Sequence, residues 1–424
     1  MFIIYNLIFF IFFIIYLPVY LLQGKLNRDF LRRLGFLPRG IKFEHPIWIH
    51  AVSVGETNAI RGLIEELRKA YPGKQLVISC VTATGYKVAQ GLIKSGDFLT
   101  YLPLDFSFII KRLMRKVNPC CFIIAETEIW PNLISGLFKQ KVPIIIINGR
   151  ISDRSYSGYR AIKLFIKPIL KKINYFCVQT DVDALRLRNL GVERRNIQVT
   201  GNMKFDLNLS AIKDPGIYRA KLWLSDDDKL FVCGSTHPQE ETLILQAYKE
   251  VVVVFPRLKL LIAPRHPQRG KEVANLIAAQ GFMPVFISQI SGACPTCINK
   301  PVFILDSIGE LLNYYAAADV VFVGGSLVKT GGHNLLEPAS FKKPIIFGPE
   351  MFNFRQMQKL FLEHKAGLMA NNALELTQKI KDILSNNLLA QQLGQAAFDL
   401  ILRHQGASKR NVSLIKQFLN QKER

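Results

Sequence analysis

What most constrains this chain is the alternation of short apolar runs with helical patterns from Pro46 onward. Candidate strands are Ile47–His50, Leu76–Cys80, Phe122–Ala125, Pro143–Asn148, Tyr175–Gln179 and Ile197–Thr200, with amphipathic stretches such as Ala59–Ala70 and Asp183–Leu190 between them. After a polar break at Asp206–Gly216 the pattern resumes with Leu230–Gly234, Leu258–Ala263, Val302–Leu305, Val320–Val323 and Pro344–Phe347. Such alternation marks βαβ units with parallel strands. It predicts two doubly wound, Rossmann-like α/β domains, residues 46–208 and 209–424, facing each other across a cleft. The stretch Ala373–Gln421 reads as helices closing the second domain. In sheets of this kind ligands sit beyond the carboxyl ends of the strands, so the loops after them should carry the chemistry.

The start of the chain is of another kind. Met1 to Leu22 contains no charged side chain, and a helix of that length spans about 33 Å, enough for a hydrocarbon core of about 30 Å. A signal peptide would need a basic start and a small-residue cleavage site, both missing here. Residues 1–22 are therefore expected to form a transmembrane or deeply embedded anchor. The segment 23–45 brings Lys25, Arg28, Arg32, Arg33, Arg39 and Lys42 against Asp29 alone, a basic collar that places the body on the cytoplasmic side of the bilayer. Composition agrees. The 424 residues are 49% apolar, which excludes disorder, and seven scattered cysteines fit a reducing compartment. With 55 Lys and Arg against 32 Asp and Glu, the net charge of +23 suits anionic substrates.

The post-strand loops hold the candidate residues. His50-Ala-Val-Ser-Val-Gly-Glu56 runs from a strand into a helix, and a carboxylate at that helix start could serve as a base or merely complement the dipole. Glu126-Thr-Glu128-Ile-Trp-Pro-Asn132 offers two acids in a turn. Asn148-Gly-Arg150 and Arg154 suit an anion, and Lys204 ends the last strand of the first domain. In the second domain Gly234-Ser-Thr-His237 follows one strand, and Pro264-Arg265-His266 follows the next. The paired glycines of Gly331-Gly-His-Asn334 precede a helix that contains Glu337. Exposed backbone N–H groups there would favour a phosphate, with Arg265 as its countercharge and Glu337 on ribose hydroxyls.

Other patterns carry less. Asp181-Val-Asp183 opens a helical pattern and reads as an N-cap. Cys294-Pro-Thr-Cys297 lacks a second ligand pair and reads as a loop. Neither a metalloprotease His-Glu spacing nor a phosphate-binding P-loop occurs, so no metal site or cofactor is expected.

Taken together these segments resemble one family, the Kdo transferases, which move 3-deoxy-D-manno-oct-2-ulosonic acid (Kdo) from CMP-Kdo onto lipid A precursor. The matching stretches are His50–Thr57, Glu126–Leu133, Gly201–Asp206, Pro264–His266, Asp306–Leu311 and Gly331–Pro338. The resemblance implies a GT-B fold, an inverting metal-independent transfer in lipopolysaccharide biosynthesis, and a seat on the cytoplasmic face of the inner membrane. It implies Glu56 as proton acceptor and Glu126 and Lys204 as transition-state stabilisers. It also implies CMP-binding positions at Pro264, Arg265, Ile308, Gly309, Glu310, Asn334, Leu335, Leu336 and Glu337. Ser307 stands where Thr is expected, Met203 where Leu is frequent, and Ala51 where the family has Ser; none removes a group the chemistry needs.

Two other classes compete. A UDP-sugar transferase acting on another membrane lipid would share the architecture and differ in nucleotide. A membrane-tethered polyanion-binding protein would need clustered cations with interleaved aromatics, whereas here the cations are spread, so no nucleic-acid partner is expected.

Overall fold

The computed structural model describes residues 2–22, 28–38, 40–207, 212–290, 292 and 300–420. Among them, strands β1 (Ile47–His50), β2 (Leu76–Cys80), β3 (Phe98–Tyr101), β4 (Cys121–Ala125), β5 (Ile144–Gly149), β6 (Tyr175–Val178) and β7 (Ile197–Val199) form one parallel sheet in the order 3-2-1-4-5-6-7. Side chains alternate across it. Trp48, Phe122, Ile144 and Ile146 enter one core, while Ile47, Ile49, Ile123, Ile145 and Ile147 enter the other. Burial on both faces explains why the central strands are nearly continuous apolar runs, with polar residues such as His50 and Asn148 only toward their carboxyl ends. Each such residue contributes about 1.5–3 kcal/mol when fully buried.

The second sheet contains β8 (Lys229–Thr236), β9 (Leu258–Pro264), β10 (Met283–Phe286), β11 (Pro301–Ile304), β12 (Val320–Val323), β13 (Ile345–Phe347) and β14 (Leu368–Met369), in the order 10-11-9-8-12-13-14. The alternation thus gives two parallel-sheet α/β domains. It missed β3, β10 and β14, all at sheet edges; β10 and β14 are only partly covered and β10 contains Pro284, while β3 is buried but short. The strand order reverses between β1 and β4 in the first sheet and between β8 and β12 in the second, where β10 and β11 are also interchanged. Those are the places where a parallel sheet opens a crevice for ligands.

Two expectations are corrected. Residues 404–424 do not close the second domain: one compact unit comprises 1–206 with 404–424, the other 207–403. The reason is a helix at Ala407–Asn420 whose Val412, Ile415 and Leu419 join Ile60, Leu63 and Leu67 in the first core. Asp206 fixes its start by accepting from the N–H groups of Gly406 (2.5 Å) and Ser408 (2.6 Å), and Arg410 donates to the Thr200 carbonyl.

The second correction concerns the anchor. Residues Phe2–Leu22 are helical, with side chains described at 4–15 and 18, but among the described residues no helix is long and apolar enough to cross a membrane. Polar groups interrupt the apolar row and pair with the first unit. Tyr5 donates to the buried Asp105 carboxylate at 2.9 Å, Asn6 accepts from Asn132 at 2.7 Å, and Phe9 and Phe13 pack edge-on against Phe106. The collar is partly spent as well: Arg32 donates to Tyr86, and Arg33 donates to the Val81 carbonyl while covering the Tyr101 ring. Lys25, Arg39, Cys294 and Cys297 lie outside the described residues.

Candidate active site

In the first unit the loops after β1 and β4 flank the strand-order reversal, and they carry Glu56, Glu126 and Glu128. Ser53 caps the helix Val54–Ala59, and Glu56 is its third residue. The Ser-x-x-Glu spacing is that of a capping box. The Glu56 carboxylate folds back to accept from the Val52 N–H at 2.6 Å and the Ser53 hydroxyl at 3.1 Å. Only 8% of the residue is exposed. Burial pushes its pKa up to about 7; its two hydrogen bonds oppose the rise, and the charges of Glu126 and Glu128 add to it. The side chain thus complements the helix start while staying close to its neutral form. A carboxylate poised near neutrality can accept a proton.

Glu126 takes left-handed backbone (φ 57°), as does Asn148 near the end of β5 (φ 51°). For a non-glycine residue this costs about 1–3 kcal/mol and needs support from its surroundings. That support is visible: the Glu126 N–H donates to the Ile147 carbonyl, and the Asn148 side chain accepts from the Met203 N–H. Asn148 thereby fixes the short turn Met203–Phe205, from which the Lys204 ammonium reaches Glu126 at 3.4 Å. Three of the loops picked out in the sequence therefore meet. Burial, then Glu126, raises the pKa of Glu128. Asn148 was named in the sequence only as a neighbour of Arg150; its signal was an Asn-Gly pair directly after an apolar strand. Arg150 and Arg154 are exposed; Arg150 meets the Glu126–Glu128 loop through its backbone, which exchanges hydrogen bonds with the Thr127 hydroxyl at 2.7 and 3.2 Å.

The Asp181-Val-Asp183 reading needs adjusting. Thr180 is the cap, and the Asp183 carboxylate accepts from the Thr180 hydroxyl and the Ile151 N–H.

In the second unit Pro264 ends β9, and Arg265 is exposed, its N–H donating to the Thr236 carbonyl. Ile308, Gly309 and Glu310 follow β11 at the same carboxyl edge; Ile308 is open to solvent and Glu310 accepts from the Ser307 hydroxyl. Leu335 and Leu336 are fully buried, so only their backbone could meet a ligand. Asn334 donates to Glu337 at 3.3 Å. Burial raises the Glu337 pKa, while Asn334 and the charge of Arg265 hold it down.

The glycines serve a different purpose from the one expected. The helix Leu336–Ala339 has four residues, too short for an N-terminal phosphate site, and the Gly332 N–H is already given to the Gly325 carbonyl. A Cβ on Gly331 would lie 2.1 Å from Asn353 Nδ2, and one on Gly332 2.1 Å from Met351 Sδ. Both glycines let this loop pack against residues 351–353.

Sequence reasoning also passed over the organiser of this site. Glu240 is fully buried and accepts from four backbone N–H groups, those of Gly325 (2.7 Å), Ser326 (3.0 Å), Leu327 (2.9 Å) and His237 (3.2 Å). It ties the loop after β8 to the loop after β12. Glu241 beside it pairs with Arg269 at 2.7 Å and accepts from the Thr236 hydroxyl. Their signal was the Glu-Glu pair starting the helix after Gly234-Ser-Thr-His237.

Comparison with known proteins gives a consistent answer. The family model for 3-deoxy-D-manno-octulosonic-acid transferase (kdotransferase) matches residues 28–207. The 3-deoxy-D-manno-octulosonic acid transferase of Haemophilus influenzae is 35% identical over 374 residues, covering 88% of this chain and 87% of that protein. Among solved structures, UDP-GlcNAc 2-epimerase from Neisseria meningitidis aligns with 88% of this chain and all of its own at TM-score 0.60 and 11% identity. A glycosyltransferase from Rickettsia africae aligns with 89% of this chain and 99% of its own at TM-score 0.56 and 16% identity. At such identities the last two attest the fold, that of the GT-B glycosyltransferases. The length and level of the first match settle the relationship: this chain belongs to the 3-deoxy-D-manno-octulosonic acid transferases.

Proposed function

We propose that the enzyme transfers Kdo from CMP-Kdo to a lipid A precursor, by an inverting and metal-independent reaction at the cytoplasmic face of the inner membrane. The observation that carries this reading is Glu56, a buried carboxylate held near neutral pKa at the strand-order reversal of the first sheet. It accepts the proton of the sugar hydroxyl as that oxygen attacks the anomeric carbon. The bond from that carbon to the CMP phosphate breaks, and its electron pair leaves with the phosphate. Lys204, steered by Glu126, offsets negative charge at the reacting centre, and Arg265 receives the departing phosphate. Mass spectrometry of lipid A precursor incubated with the protein and CMP-Kdo tests the reading and counts the sugars added. Transfer from a UDP-sugar instead would overturn the donor assignment.

Arg265→Ala is expected to weaken CMP binding by about 1.5–3 kcal/mol, the range for a hydrogen bond to a charged group. Calorimetry showing unchanged affinity would place the nucleotide elsewhere.

An interfacial seat is supported by the first helix, on which Ile4, Leu7, Ile8, Phe10, Ile11, Phe12, Ile14 and Ile15 are exposed while Tyr5 and Asn6 tie it to the body. An apolar row of that size binds the headgroup boundary. Deleting residues 2–22 is expected to leave a folded protein that no longer floats with anionic vesicles, because among the described residues neither core of the first unit draws a side chain from that helix. Loss of the parent circular dichroism spectrum would show that the helix is needed for folding.

A further inference from the structure

The strand-order reversal of the second sheet brings together two histidines with no role in the reaction as described so far. His237 follows β8 and His333 lies in the loop after β12. Their Nε2 atoms are 3.0 Å apart and their rings are stacked at 5.2 Å between centroids. Both sit at the crevice of a parallel sheet, on loops that Glu240 fastens together. At that separation one ring nitrogen must donate to the other's lone pair, so at most one ring of the pair can be charged.

We propose that His237 and His333 form a proton-accepting clamp for the donor's phosphate, neutral when the site is empty and taking up one shared proton when the nucleotide binds. The proposal rests on the donor site being where the preceding section puts it. The surroundings set the empty state: Arg265, His266 and Arg269 contribute positive charge around the pair, against Glu241 on the next helix and Glu337 facing Arg265. Burial, then His237, Arg265 and His266, hold His333 down to about 4; burial, His266, Arg265 and Arg269 lower His237, with Glu241 opposing. A phosphate reverses the balance. One negative charge at about 4 Å, under an effective dielectric constant of about 20, raises an imidazole pKa by about three. The proton comes from solvent on binding, and the imidazolium then faces the oxygen that receives the electron pair when the donor's anomeric bond breaks. The pair thus places a cation on the leaving phosphate only while the nucleotide is present.

Calorimetry of CMP binding to the full chain at pH 7, in buffers of different ionisation enthalpy, reads the proton directly. The expected result is uptake of about half a proton per CMP at pH 7, none for cytidine, and affinity that weakens by up to about tenfold per pH unit as pH rises toward neutrality and levels off above it. In the double variant His237→Gln, His333→Gln, whose amides can still hydrogen-bond each other, uptake should vanish and the pH dependence flatten. Arg265→Ala should bind more weakly yet keep the uptake. CMP binding without proton exchange in the parent would overturn the clamp and leave the donor site standing. Uptake surviving in the double variant would move the proton to His266 and also overturn it. Failure of CMP to bind the parent would remove the donor site and the clamp together.

Discussion

Glu56→Gln should lose about 10²–10⁴ of the Kdo transfer rate while binding CMP like the parent, because the amide keeps the size of the side chain but cannot accept the proton. In the parent, activity should climb with pH up to about 7, where the buried carboxyl ionises, and then level off. Stability gives an independent reading. The native pKa of about 7 lies above the ordinary 4.5, so the folded protein holds a proton that the unfolded chain releases between those values. The carboxyl's contribution therefore declines as pH rises through that window. The Gln variant lacks this decline and should gain on the parent by up to about 3 kcal/mol between pH 4 and pH 8. Chemical denaturation at the two pH values checks it. A variant that transfers within about tenfold of the parent rate would remove Glu56 from the mechanism and turn attention to Glu128.

The second large effect is structural in origin. Glu240→Ala should destabilise the second unit by about 3–5 kcal/mol, since four N–H donors, those of Gly325 and Ser326 buried, lose their acceptor at about 1–3 kcal/mol for each buried one. For a unit of this size that lowers the melting temperature by roughly 10 °C. Glu240→Gln, with one acceptor oxygen left, should fall between. Both should weaken CMP binding, because the loop after β12 carries His333 and Asn334. If the Ala variant melted with the parent, the loops would be held by packing alone.

The contrast between Glu56 and Glu240 shows what a sequence discloses. Glu56 was legible because a carboxylate three residues after Ser53 lies where a strand turns into a helix, and local spacing determines that position. The fold was legible for the same reason: strands such as Ile144–Gly149 are buried on both faces, and their composition records it. Glu240 was not legible, because three of the N–H donors it accepts from lie 85 to 87 positions away and only the sheet order brings them near. The His237–His333 contact spans 96 positions and was hidden likewise. The glycines at 331 and 332 misled in the opposite direction. Their motif suggested open N–H groups, while the crowding that requires them comes from Met351 and Asn353, beyond the reach of any local pattern. The first 22 residues misled through composition, since mean hydropathy hides two polar side chains that find partners a hundred positions on.

The helix Ala407–Asn420, returning to complete the first core, also sets an order of events during synthesis. Roughly 200 residues of the second unit separate Asp206 from the helix whose start it caps, about 10–40 s of translation at about 5–20 residues per second. Throughout that interval the apolar surface around Ile60, Leu63 and Leu67 lacks its native cover. The half of the molecule that leaves the ribosome first is finished last, and the nascent chain must shelter that face, by transient contacts or a chaperone, until its final helix arrives.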